Sequence, residues 1–174
     1  MVKVVDPRTP VIVGVGQVEN RVDRGAGEVE PVELIARAAA AAAADSGGRD
    51  VLGALDSVRV VKLLSWRYRD PGALVAERVG ANPRQSVYTT EGGQTPQALL
   101  NRTALDIAAG DLDVVLLCGG EAWRTRAAYR KRDEKPPWTV EGDYTPLAES
   151  FGAPLDMIDE ADAAQGLNLP VHNY

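Results

Sequence analysis

Ala104-Leu105-Asp106-Ile107-Ala108-Ala109-Gly110-Asp111, then Asp113-Val114-Val115-Leu116-Leu117-Cys118-Gly119-Gly120-Glu121, sets the end of a helix directly before a strand. Leu99, Leu100, Ala104, Ile107 and Ala108 recur at helical spacing and make one apolar face, and Gly110 stops the helix. Val114 to Cys118 is an uninterrupted apolar run, the pattern of a strand covered on both faces, and Gly119-Gly120 ends it. Just upstream, Glu91-Gly92-Gly93-Gln94 reads as a turn. Thr95-Pro96 reads as an N-cap followed by proline at the first helical position.

Further out, the same alternation repeats. Gln85 to Thr90 is a short strand. Asp70-Pro71-Gly72 opens a helix through Leu74, Val75 and Val79 that Gly80 caps. Leu55 to Leu64, with Val58, Val60 and Val61, reads as a strand, and Ser65 to Pro71 as a polar, aromatic loop. Glu30-Pro31 starts a helix with Glu33 in the turn where the helix dipole favours an acid. Its body, Ala36 to Ala44, is nearly all alanine, the best helix former, and Gly47-Gly48 stops it. With Leu34, Ile35 and Ala38 at helical spacing, this helix is expected between layers; a solvent helix of low complexity is the alternative. Val11-Ile12-Val13 reads as a buried opening strand closed by Gly14-Val15-Gly16. Strands alternating with helices in this way indicate an α/β fold: a mixed, mostly parallel sheet with helices on both faces. Residues 1–123 form the core domain on this reading. Residues 124–174 leave it, through Arg124, Arg126, Arg130, Lys131, Arg132, Lys135 and Pro136-Pro137-Trp138.

The composition is ordinary for a globular chain of 174 residues, 45% hydrophobic and 25% charged, so a core can form without disulfides. The net charge of −6 argues against a nucleic-acid partner, which calls for a basic field. A single cysteine excludes an intrachain disulfide. No apolar run reaches the ~18–20 residues of a membrane span, and residues 1–10 lack a signal-peptide core. The expectation is a soluble cytoplasmic protein.

Taken together, several segments resemble the thiolase superfamily, over roughly residues 10–123. Val11 to Gln17 is similar to its opening strand, and Pro31-Val32-Glu33-Leu34 with the alanine helix to its first helix. The quoted stretch from Ala104 to Glu121 follows its pattern of Ile-x-x-Gly-Asp, hydrophobic strand and Gly-Gly-Glu. Gly92-Gly93-Gln94-Thr95-Pro96-Gln97 resembles a branch described as acetyl-CoA acetyltransferases. The resemblance implies one thiolase-like half, a five-stranded mixed sheet with helices, and residues 124–174 as the start of a loop domain. It implies an acyl-CoA thioester as substrate, acyl transfer in lipid metabolism once the fold is complete, no covalently bound cofactor, and inactivity of this half alone. It also implies a homo-oligomer or a second chain that completes the fold.

Thiolases place a nucleophilic Cys at the N-terminus of a buried helix, where the dipole stabilises a thiolate. Counting back from Ile107 to Asp111 puts that slot at Gly93, and there is no Cys from Gln85 to Leu117. Two departures from acyl transfer therefore stand beside it: a non-catalytic thiolase-fold subunit or scaffold that binds acyl-CoA or a partner chain, and a carbon–carbon lyase. Thr95 is a weak nucleophile without a base and suits a cap better. Cys118 suits a small buried strand residue better than a nucleophile. Gly92 and Gly93 can present N–H groups to an anion or thioester oxygen, or simply form a tight turn. Gly119-Gly120-Glu121 is open in the same way, and Glu121 can satisfy nearby backbone donors. Arg124 and Arg126, at the head of the basic stretch, can meet the phosphates of coenzyme A; a solvated loop or an inter-subunit contact are the alternatives. His172, the only histidine, has no visible nucleophile to serve and reads as a surface residue. Gly14-Val15-Gly16 fails as a dinucleotide motif because Glu19 stands where the third glycine belongs. No Cys/His cluster has metal-ligand spacing.

Overall fold

A computed structural model of the chain describes residues 6–21, 28–47, 50–143, 145–153, 161 and 164–165. In chain order its elements are α1 (Pro31–Asp45), β1 (Ser57–Val60), α2 (Pro71–Val79), β2 (Gln85–Thr89), α3 (Thr95–Ala109), β3 (Val115–Cys118), α4 (Trp123–Lys131) and β4 (Glu149–Phe151). The four strands form one sheet in the order β3-β1-β2-β4, and every pairing is parallel. Val58 lies opposite Ser86 and Leu116, and Val60 opposite Tyr88 and Cys118. A parallel sheet needs cover on both faces, and β1 shows it by burying all four of its residues.

The period of two in β1 sorts its side chains. Val58 and Val60 point to one face, where Val32 and Ile35 of α1, Val75 of α2, Leu63 and Tyr68 complete the core. At about 1.5–3 kcal/mol for each fully buried aliphatic side chain, this cluster is the main source of stability. Ser57 and Arg59 point to the other face, where Arg59 meets Thr103 and Asp106 of α3. So α1 and α2 cover one side and α3 the other. The alanine helix packs as expected only along one stripe: Ala36 and Ala39 are buried, whereas Ala40, Ala41 and Ala44 are exposed.

Local chemistry explains where elements begin and end. Asp70 caps α2 by accepting from the Ala73 N–H at 2.8 Å, and Gly80 closes it in the left-handed region at φ 69°. The strand expected over 55–64 shortens to Ser57–Val60 because side chains replace the ladder beyond it. The Lys62 N–H donates to Thr89 Oγ1 at 2.9 Å, and the Leu63 N–H to the Tyr88 hydroxyl at 3.0 Å.

Val11-Ile12-Val13 corrects the sequence reading. It joins no ladder, and these three residues are 70%, 77% and 51% exposed. The segment is held by its glycines against α1. A Cβ on Gly14 would stand 2.1 Å from the Ala42 carbonyl oxygen, and one on Gly16 2.2 Å from that of Ala38. Val15 N–H donates to Asp45 at 3.0 Å. A mostly apolar cleft of about 530 Å³ separates residues 10–16 from β3, so the backbones are too far apart to pair. As the edge strand beside that cleft, β3 is half-buried along its length and not enclosed.

Residues 136–143 and 145–151 return to the core as a strap ending in β4. Glu30, the residue before α1, accepts from Tyr68 Oη (3.0 Å), Arg78 Nη2 (2.5 Å), and both the N–H (3.1 Å) and the hydroxyl (3.0 Å) of Thr139. Trp66 donates to the Thr139 carbonyl at 2.7 Å and meets Trp138 edge-on, ring centres 5.1 Å apart. Glu141 accepts from the Arg69 N–H at 2.6 Å. Among the described residues, no helix is long and apolar enough to cross a membrane.

Candidate functional site

In a parallel α/β sheet the loops that leave the carboxyl ends of the strands converge at one end. Here they are residues 61–65 after β1, 90–94 after β2 and 119–122 after β3, with β1 between the other two. This end therefore brings Gly92, Gly93 and Thr95 to one side of the β1 exit, and Gly119-Gly120 with Arg124 and Arg126 to the other.

The rim is tied together by polar side chains. Glu121 accepts from the N–H groups of Leu64 (2.6 Å) and Ser65 (2.8 Å), and Ser65 Oγ accepts from the Ala122 N–H at 3.1 Å. Of the two roles open to Glu121, the structure gives it the satisfaction of backbone donors. Arg126 reaches back to the Leu64 carbonyl at 3.2 Å and stacks over Trp123 at 5.3 Å. Arg124 is exposed, with no partner among the described residues. Lys62 lies 4.7 Å above the Tyr88 ring.

Thr95 is not the N-cap. Gln94 holds that position without a side-chain cap, and Thr95 is the first residue of α3. The Thr95 side chain is buried, and its hydroxyl donates to the Gly92 carbonyl at 2.7 Å. The turn draws the Gly92 carbonyl back over the start of the helix, which leaves the hydroxyl proton committed to that oxygen and to no base. Gly93, the position of the absent nucleophile, has open space where a Cβ would stand.

Cys118 ends β3, with Sγ 3.6 Å from the Arg59 carbonyl oxygen. Burial pushes its thiol up to about 12. A thiolate is the reactive form, and burial disfavours it at Cys118 near neutrality, although this half-buried residue also lines the cleft beside β3. Burial likewise raises the Tyr88 phenol to about 12, and Tyr68 is raised further by burial and by the neighbouring Glu30 carboxylate. His172 lies outside the described residues, and among them no group of three or more His, Cys, Asp or Glu is placed to hold a metal.

Sequence reasoning missed a polar network at the opposite end of the sheet. Arg59 is 3% exposed. Its guanidinium donates to Asp106 Oδ2 (2.6 Å), Thr103 Oγ1 (2.8 Å) and Gln85 Oε1 (3.3 Å), with Ser57 Oγ at 3.4 Å. Arg102 pairs with the other oxygen of Asp106 at 2.7 Å. Beside it opens a polar cleft of about 510 Å³ lined by Arg84, Asp111 and Glu149 among others. Its three arginines are matched by three carboxylates, so it has no excess charge for an anion. The one signal in the sequence was an arginine between two valines in a buried strand, which requires a partner. Neither cleft is lined by Gly92, Gly93, Thr95, Arg124 or Arg126.

No family model matches the chain, and no curated protein sequence does. Among solved structures, it is similar to a monomeric SCP2-thiolase like protein type 1 from Mycobacterium smegmatis, at 42% sequence identity and a TM-score of 0.58. The match covers 67% of this chain and 24% of that one, so the chain spans about a quarter of the length of that protein. With the parallel sheet and its two helix layers, this gives the chain a thiolase-like α/β fold.

Proposed function

We propose that this chain is part of a thiolase-like protein that handles acyl-CoA thioesters, and that it acts together with a further segment, from the same polypeptide or another, that completes the fold. In this reading Gly92, Gly93 and Thr95 form one wall of the acyl pocket, with the backbone N–H groups of the turn facing the thioester oxygen. Arg124 and Arg126 meet the phosphates of coenzyme A from the other side of the β1 exit. The observation that carries the reading is this convergence of both groups at the carboxyl end of a parallel sheet. The completing segment is supported by the apolar cleft beside β3 and by the exposure of Val11, Ile12, Val13, Val15 and Leu100, which line it.

A second reading rests on the missing nucleophile. With Gly93 in its slot and the Cys118 thiol held protonated, the described residues offer no thiolate. The chain would then be a non-catalytic thiolase-fold subunit that binds acyl-CoA or a partner chain. Calorimetric titration of coenzyme A and acetyl-CoA, with thiolysis assayed in parallel, separates the two. Binding weakened in Arg124→Gln/Arg126→Gln supports the site in either case. Turnover by the longest native form selects the acyltransferase, and binding without turnover the scaffold. No binding at millimolar ligand would refute the acyl-CoA site and leave only a subunit that binds a partner chain.

A further inference from the structure

The second turn of α4 and the loop after it are not used by the acyl-CoA reading. Residues 124–135 hold six Lys and Arg against two acids, Asp133 and Glu134, in a chain whose net charge is −6. Arg132 is neutralised by Glu134 and Glu28. Arg130, Lys131 and Lys135 are exposed, and none has a side-chain partner among the described residues. At the first turn, Trp123 is 49% exposed. Leu64, whose carbonyl accepts from the Arg126 guanidinium that also stacks on the indole, is 45% exposed. The patch thus presents an exposed indole and an exposed leucine linked by Arg126, with unpaired cations further along.

We propose that this face of α4 docks on an anionic lipid surface, with Arg130, Lys131 and Lys135 on the headgroups and Trp123 and Leu64 in the interfacial layer. Charge complementarity is the argument for the occupant. Exposed Lys and Arg on and just after a surface helix attract acidic lipids at about 1 kcal/mol each, and an exposed Trp is the side chain that settles at headgroup level. Arg130, Lys131 and Lys135 are exposed and line neither cleft, which suits an extended anionic surface. A second copy of this acidic chain would meet the cations but gives no reason for the apolar tips. Repulsion from the acidic remainder is screened beyond ~8 Å at physiological salt.

The test is co-sedimentation of the protein with phosphatidylcholine vesicles, with and without phosphatidylglycerol, while Trp emission is recorded. Binding should require phosphatidylglycerol, fall with salt, and shift the emission to the blue. Trp123→Ser should abolish the shift. Arg130→Gln/Lys131→Gln should weaken partitioning about 25-fold, at roughly fivefold per charge, without changing coenzyme A binding. Equal binding to neutral vesicles, no binding to acidic ones, or undiminished binding by the double variant would overturn the proposal. So would a concentration-dependent dimer by light scattering, without lipid, that the double variant abolishes; that result would assign the patch to a second copy.

Discussion

Removing the charge of Asp106 should destabilise this chain more than removing a typical surface charge, because the carboxylate is the partner of a guanidinium that has almost no water. Arg59 and Asp106 side chains are 4% and 8% exposed and 2.6 Å apart. Breaking a buried pair on one side costs about 3–5 kcal/mol, most of it the penalty of the charge left behind. In Asp106→Asn the remaining acceptors, Thr103 Oγ1, Gln85 Oε1 and Ser57 Oγ, still surround Arg59, so the lower end, about 3 kcal/mol, is expected. With a urea slope of about 2 kcal/mol per M, the unfolding midpoint should fall by about 1.5 M. Arg59→Met/Asp106→Leu should regain most of that loss, because two apolar groups leave no buried charge without its partner. Urea unfolding followed by far-UV circular dichroism measures both. A loss below about 0.5 kcal/mol in the single variant, or a double variant as unstable as the sum of the singles, would show that the pair is not the coupled buried unit described here.

Three further outcomes follow from the same geometry. Glu30→Ala removes the acceptor of four hydrogen bonds and should cost about 2–4 kcal/mol; limited proteolysis should then cut within residues 136–151, and unchanged protection there would refute the strap. Cys118, with its thiol near 12, should react with iodoacetamide at pH 8 roughly a thousandfold more slowly than an unperturbed cysteine, and gain rate only well above pH 9; ordinary reactivity at pH 8 in the folded protein would show an accessible thiol. Asp56 accepts from the N–H groups of Asp113 and Val114 and faces Arg84, which hold its carboxyl below the ordinary 3.8. Because the folded-state value is depressed, its stabilisation is fully present above the unfolded value and is lost as pH falls through the folded one. Asp56→Asn should therefore cost about 1–2 kcal/mol at pH 7 and progressively less below pH ~4; a cost independent of pH would contradict the charge-assisted bonds.

The parts of the fold that could be read in the sequence are those whose signal is local. The cap at Asp70, the glycine stops at Gly80 and Gly110, and the apolar runs of β1 and β3 each require only neighbours in the chain, and the structure has them at or within a few residues of the expected places. Val11-Ile12-Val13 has an equally good local signal and yet pairs with nothing, because a strand also needs an edge within about 5 Å. Its glycines fix it on α1 instead, across a cleft from the free edge of β3. The close approach of Gly14 and Gly16 to Ala38 and Ala42 gives that motif a packing role, which a sequence reading sees only as a strand end.

The candidate site divides along the same line. That Gly92–Thr95 and Arg124–Arg126 lie at one end of the sheet follows from strand direction alone, so the order of elements was enough to place them together. What each group does there depends on contacts between residues distant in sequence. The Glu121 carboxylate is occupied by Leu64 and Ser65, 57 and 56 residues away, and the Thr95 hydroxyl turns back to Gly92. These bonds remove two polar groups from the chemistry and leave the backbone of the Gly92-Gly93 turn and the Arg124 guanidinium as the groups free to meet a ligand. Both are binding groups, and neither is a nucleophile. If this chain takes part in acyl transfer as proposed, no described residue supplies the groups that make and break the thioester bond, and an activity restored by adding a completing segment, with binding already present before it, is the pattern this division of labour requires.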